Sequence, residues 1–133
     1  VGNSMSEHDG PGVLAKRALE KIQAHPYNKW VIDGIRNPAE IEKLKKDESA
    51  HIWGLMADQD ILIARILRRA RPSDPKTREE VLRRIEREWG KGEPPDGQQM
   101  ERCMRHTDFL IENEGTLQEL DKKVMALYSE LQP

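Results

Sequence analysis

The stretch Trp30-Val31-Ile32-Asp33-Gly34-Ile35-Arg36 decides how this sequence is interpreted. It is a short apolar run that ends on Asp-Gly and then presents an arginine. An apolar run bounded by a polar turn predicts a buried strand of a parallel sheet, here over residues 30–33. Ligands of open α/β sheets bind outside the carboxyl ends of the strands, so Asp33 and Arg36 are candidates for handling a metal or a proton beside an anion. Taken alone, a turn aspartate and a surface arginine explain the pattern more simply.

Helices and strands alternate along the remaining sequence. Two further apolar runs predict strands at residues 51–57 and 108–112. Capping residues and apolar periodicity predict helices that start near residues 12, 38, 59, 78, 98 and 117. Strands that alternate with helices predict an α/β fold, a three-layer sandwich around a parallel sheet with right-handed crossovers.

Composition predicts a single domain without a membrane segment. The 133 residues carry a net charge of −2, and residues 1–11 are expected to form a flexible start. The single Cys103 excludes an internal disulfide framework, and neither a membrane-spanning run nor a signal peptide is visible. We therefore expect a cytoplasmic protein. Because the first residue is Val1, we also expect a fragment or a processed product.

A basic segment lies inside this nearly neutral chain. Residues 65–91 carry ten Lys and Arg against five Asp and Glu. Arg65, Arg68 and Arg69 fall within one turn of a predicted helix and Arg71 follows it, which predicts a local anion site. A solvated helix end, favoured by the helix dipole, explains these arginines about as well. Nucleic acid is not an expected partner, because no aromatic residues are interleaved with the arginines.

The turn after the third predicted strand offers another possible ligand contact. Asn113 falls at the carboxyl end of that strand, and Gly115-Thr116 opens the last helix, so this turn can contact a nucleotide base. It is equally an ordinary strand-to-helix connection. No metal site is expected, because the four histidines and Cys103 lack the spacing of metal ligands.

Five stretches together resemble a known enzyme family. They are GPGVLAKRALEKI (10–22), VIDGIRNPAEIE (31–42), RRARPSDPKTREE (68–80), GQQMERC (97–103) and DFLIENEGTLQEL (108–120). In this order they resemble the P-loop kinases of the nucleoside-monophosphate kinase type, close to the dephospho-CoA kinase and archaeal adenylate-kinase-like branch. The resemblance covers most of residues 10–130.

The resemblance implies a P-loop NTPase-like sheet of five parallel strands, of which this chain holds three, with residues 72–105 as a helical lid. It implies ATP and Mg²⁺ as cofactors. It also implies roles for single residues, which it divides into two groups. The catalytic group is Asp33, Arg36 and Arg69, and the cofactor-binding group is Arg65, Arg69, Arg71, Asn113 and Thr116.

The sequence departs from this family at its phosphate-binding loop. No GxxxxGK[ST] motif occurs in the 133 residues, and Gly10-Pro11-Gly12 is too short and lacks the lysine. We therefore expect a nucleotide-binding, kinase-like protein that is inactive alone, which leaves open whether the chain itself holds ATP or Mg²⁺. The alternative is a non-catalytic interaction or regulatory module. Because a central strand would be missing, a homodimer or higher oligomer is expected. The phosphoryl acceptor stays open.

Overall fold

The computed structural model of the chain describes residues 10–131, which divide into two compact units. The first unit contains residues 10–52 and 83–107, and the second contains residues 53–82 and 108–131. In chain order the elements are α1 (Val13–Gln23), α2 (Pro38–Leu44), β1 (Trp53–Met56), α3 (Gln59–Arg69), α4 (Arg78–Trp89), α5 (Met100–Met104), β2 (Phe109–Glu112) and α6 (Leu117–Glu130). The boundary between the units falls inside α4. The flexible start was predicted for residues 1–11, of which residues 1–9 lie outside the described residues.

The α/β prediction is confirmed, with a smaller sheet than expected. Strands β1 and β2 are parallel, and Trp53 pairs with Phe109 and Met56 with Glu112 at the two ends of the register. Both strands lie where the apolar runs predicted them. Within residues 10–131 the sheet has two strands, so the prediction of three strands is wrong. A P-loop NTPase-like sheet is not confirmed.

The missing strand is the one predicted at residues 30–33. Residues 29–36 form neither helix nor strand, and Val31 is 94% exposed. A strand in a parallel sheet needs backbone partners and cover on both faces. Among the described residues, β1 pairs only with β2, so no neighbour satisfies the backbone of Val31 and Ile32. Trp30 instead packs edge-on against Tyr27, with ring centroids 5.9 Å apart.

The first unit has its core between α1 and α2. Val13 and Ala15 of α1 are buried, as are Ile41 and Leu44 of α2, which matches the apolar spacing of both helices. Helix α2 begins with a capping box in which the Asn37 side chain accepts from the Ala39 amide, followed by a proline at its first position. The cap therefore fixes where the irregular segment ends.

The second unit contains α3, the first turn of α4, the two-stranded sheet and α6. Ile63, Val81 and Ile111 are buried here, and Val81 has no exposed surface. Helix α6 contributes no buried residue, and its Leu117 is 81% exposed. Much of the apolar surface of α6 is therefore open to solvent.

No helix within residues 10–131 is long and apolar enough to cross a membrane.

Candidate anion-binding site

Arg65 ties helix α3 to the turn that follows β2. Its Nη2 donates to the carbonyl of Gly115 at 2.9 Å, and its Nη1 donates to the carbonyl of Asn113. The Asn113 amide donates to the carbonyl of Met56 at 2.6 Å, so the turn extends the strand pairing by one residue. Arg65 and Asn113, both proposed from the sequence, are thus brought together. Here the guanidinium positions the turn.

Thr116 closes the same turn by capping α6. Its Oγ1 accepts from the Glu119 amide at 3.2 Å, and the Glu119 carboxylate accepts from the Thr116 amide at 2.6 Å. This backbone hydrogen bond lowers the pKa of Glu119. At the start of α3, the Asp58 amide donates to the Glu114 carboxylate at 3.1 Å. Carboxylates therefore already occupy both helix starts at this edge of the sheet, which disfavours a ligand phosphate there.

At the other end of α3, Arg69 forms a two-bond fork with Asp74. The Arg69 Nε lies 2.8 Å from Asp74 Oδ2, and Nη2 lies 2.6 Å from Oδ1. The Arg71 amide also donates to Oδ2, at 3.0 Å, after Ala70 ends the helix in the left-handed region with φ 47°. The Asp74 side chain is 2% exposed. A buried carboxylate therefore fixes the loop of residues 70–74.

The ionisation of Asp74 reflects this contact. Hydrogen bonds from the Arg69 side chain lower the pKa of Asp74 from 3.8 to about 2, and the Arg71 amide and the charges of both arginines act in the same direction. The same hydrogen bonds raise the pKa of Arg69. The Arg69 guanidinium therefore holds the loop, and its hydrogen-bond acceptor is the Asp74 carboxylate of the same chain.

Two arginines beside this fork keep their guanidinium groups exposed. Across residues 10–131, neither Arg68 nor Arg71 donates a side-chain hydrogen bond or forms an ion pair. Lys76 adds a third cation, because its Nζ donates to the Arg71 carbonyl at 2.9 Å. We name Arg68, Arg69, Arg71, Asp74 and Lys76 the arginine loop. It holds four cations and one carboxylate, and that carboxylate is already bound by Arg69.

Asp33 and Arg36 lie in the first unit. Asp33 is exposed, and its Oδ1 accepts from the amide of its neighbour Gly34 at 2.7 Å. The Arg36 Nη1 lies 3.4 Å from Gln98 Oε1 and 3.6 Å from Glu88 Oε1. The candidates implied by the family resemblance are thus divided between the two units: Asp33 and Arg36 lie in the first, and Arg65, Arg69, Arg71, Asn113 and Thr116 lie in the second.

Sequence analysis missed a buried polar cluster next to Arg36. Asn37 is 6% exposed, and its Nδ2 donates to the carbonyls of Pro95 at 2.9 Å and Gly97 at 2.8 Å. The buried Glu40 carboxylate accepts from the amides of Arg36 and Asn37 at 2.9 Å and 3.0 Å. The capping box was visible in the sequence, but no local pattern shows that the Asn37 amide reaches a loop 58 residues away.

Neither the cysteine nor any acidic cluster adds a reactive centre to these contacts. Burial raises the pKa of the Cys103 thiol to about 11, so this thiol is protonated at neutral pH and a poor nucleophile. Within the described residues, no group of three or more His, Cys, Asp or Glu is arranged to hold a metal ion.

The chain is similar to proteins that carry the name UPF0200. It is 29% identical to the UPF0200 protein of Pyrococcus horikoshii, over 98% of this chain and 69% of that protein. The UPF0200 protein of Methanosarcina mazei is 29% identical over 97% of this chain and 66% of its own length. That of Thermoplasma acidophilum is 31% identical over 91% of this chain and 62% of its own length. The chain thus spans about two thirds of these curated relatives. No model of a known protein family and no solved structure matches it.

These relatives correct the family resemblance. Their name states no kinase, and none of them is a dephospho-CoA kinase or an adenylate kinase by name. The assignment to P-loop kinases of the nucleoside-monophosphate kinase type is therefore wrong. Its physical basis was weak, because capping boxes and helix ends made up much of the matching stretches, and many α/β proteins share such features. The segment at residues 30–33, which carried most weight, forms no strand.

The arginine loop predicts a specific loss of stability in acid. Because the folded-state pKa of Asp74 lies below its usual 3.8, its contribution is fully present above pH 3.8 and disappears as the pH falls towards 2. We expect Asp74→Asn to lower the melting temperature at pH 7, and to lower it progressively less between pH 4 and pH 2. Thermal melts followed by circular dichroism at several pH values measure this.

Asp121→Asn is the matched control, because it removes one exposed carboxylate from α6 in the same unit. This control should melt as the wild type does across the pH range. If the melting temperature of Asp74→Asn fell between pH 4 and pH 2 as much as that of the wild type, Asp74 would not be the source of the acid sensitivity.

Proposed function

We propose that this chain binds a phosphorylated small molecule of the nucleotide type through the arginine loop, and that it does not transfer phosphate by itself. The supporting observation is the exposure of Arg68, near the end of α3, and of Arg71, in the loop that the Arg69–Asp74 fork fastens to that helix. Neither side chain has a hydrogen bond to residues 10–131. Guanidinium groups with free donors form paired hydrogen bonds to phosphate oxygens.

Local charge supports an anionic ligand. With four cations and one carboxylate, the arginine loop carries an excess of three positive charges, whereas the whole chain has a net charge of −2. Such a local excess attracts small anions without making the protein a general polyanion binder. Helix starts at the sheet edge already hold Glu114 and Glu119 near their first amides, so the arginine loop is the better phosphate site in this unit.

ATP with Mg²⁺ is the first ligand that we propose to test. The 133 residues contain no glycine-rich loop with a lysine, the device that cradles the transferred phosphate and neutralises developing charge in many phosphotransferases. Binding without turnover is therefore the expected behaviour of this chain.

Titration calorimetry with ATP, ADP, AMP and inorganic pyrophosphate tests the proposal. We expect affinity to increase with the number of phosphates and to weaken with salt. Arg68→Gln and Arg71→Gln should each weaken ATP binding by roughly ten-fold or more, because a hydrogen bond to a charged group contributes about 1.5–3 kcal/mol. No ATP hydrolysis or transfer above background is expected.

Arg83→Gln supplies the matched control, since Arg83 is an exposed arginine of α4 with no described partner and lies in the first unit. If Arg83→Gln and Arg71→Gln weakened ATP binding equally, the net charge of the chain, and not the arginine loop, would determine the affinity. Turnover of ATP that Asp33→Ala abolishes would refute a purely binding role.

A second candidate role is self-association, and the open face of the sheet favours it. Met56 and Leu110 lie on the same face and are 36% and 54% exposed. Within the described residues, the outer edge of each strand also lacks a strand partner. Parallel sheets are normally covered on both faces, so we propose a second copy of this chain as the cover.

Light scattering at several protein concentrations tests self-association. The wild type should have the mass of two or more chains, and Leu110→Glu should reduce it to one, because a buried unpaired carboxylate opposes the contact. Val31→Glu is the control, since Val31 is exposed but lies in the first unit. A wild type that stays monomeric at high concentration would exclude this role.

A further inference from the structure

A cleft of about 360 Å³ lies between α1 and α2 in the first unit. From α1 it is lined by four residues at positions i, i+3, i+4 and i+7, which share one face of the helix: Lys16, Leu19, Glu20 and Gln23. The other two lining residues are Lys43 of α2 and Lys46, which lies two residues after the end of α2. The cleft is thus lined by one apolar residue, Leu19, and by three lysines among its polar residues.

The positive charge of this cleft is only partly balanced. Lys16 lies 3.9 Å from Glu20, and both side chains are more than half exposed, so this pair is weak. The structure gives Lys43 and Lys46 no hydrogen bond or ion pair with residues 10–131. Counting all four charged groups, three lysines face one carboxylate.

The Lys43 side chain passes close to the backbone at Gly12. A Cβ atom at Gly12 would lie 2.5 Å from Lys43 Cε and 2.7 Å from its Nζ, so an alanine there would displace the end of the lysine. Lys43 is half-buried and Gly12 is buried. The contact shows where the Lys43 side chain lies, and it offers a substitution at Gly12 that would move the ammonium group without removing it.

We propose that this cleft is a second phosphate-binding site, which holds the phosphate of a small molecule between Lys43 and Lys46 and its apolar part over Leu19. Lysine ammonium groups bind phosphate as point charges, and the Gln23 amide can donate a further hydrogen bond. The volume is within the range of small-molecule sites. A short cleft with one carboxylate fits a small anion better than a polymer. The proposal does not depend on the arginine loop.

Amide chemical shifts of the full chain, titrated with inorganic pyrophosphate, test this site. We expect saturable shifts along α1 and α2, with affinity reduced roughly ten-fold by Lys43→Gln and by Lys46→Gln. Gly12→Ala is the sharper variant. Gly12 has φ −99°, which alanine adopts, and the clash involves the end of a flexible side chain, so stability should change little. The displaced Lys43 ammonium should nevertheless weaken binding several-fold.

Lys122→Gln removes an exposed lysine of α6 in the second unit and should leave these shifts unchanged. Arg68→Gln and Arg71→Gln should also leave them unchanged, so failure of the arginine loop and failure of the cleft are distinguishable. The proposal is overturned if pyrophosphate causes no saturable shifts in α1 and α2. It is also overturned if Gly12→Ala binds as tightly as the wild type, or if a random-sequence RNA binds here more tightly than pyrophosphate.

Discussion

The buried amide of Asn37 is the contact on which the first unit depends. Its oxygen caps α2 by accepting from the Ala39 amide, and its nitrogen donates to the carbonyls of Pro95 and Gly97. One small side chain therefore ends the irregular segment, starts a helix and anchors a loop from a distant part of the sequence. Every polar atom of the amide is paired, which avoids the cost of burying it unsatisfied. Glu40 completes the arrangement by accepting two backbone amides.

In each unit, cationic side chains lie beside a contact within the chain. In the second unit the buried Asp74 carboxylate binds Arg69 and the Arg71 amide, which leaves the guanidinium groups of Arg68 and Arg71 exposed. In the first unit the glycine at position 12 lets Lys43 lie across the backbone. On these cations we base the proposal that a chain with a net charge of −2, and without a glycine-rich phosphate loop, recognises phosphate.

Local signals in the sequence predicted most helices and two of the strands, because caps and apolar periodicity act over three or four residues. The capping boxes of α2 and α6 are examples. The strand at residues 30–33 was predicted wrongly, since an apolar run becomes a strand only when another strand pairs with it, and none does among the described residues. For the candidate site, the arginine cluster was visible, but the role of Asp74 was not. Whether an arginine binds a ligand or an internal carboxylate depends on tertiary contacts that spacing does not show.

The unfolding free energy of Asn37→Ala and Asn37→Asp, measured by urea titration, tests the central role of this amide most directly. Aspartate caps helices as well as asparagine does but has no N–H groups to donate to Pro95 and Gly97. The account predicts that both variants lose about 2 kcal/mol or more, with Asn37→Asp at least as destabilised as Asn37→Ala. An Asn37→Asp variant within about 0.5 kcal/mol of the wild type would show that only the cap matters and would contradict the account.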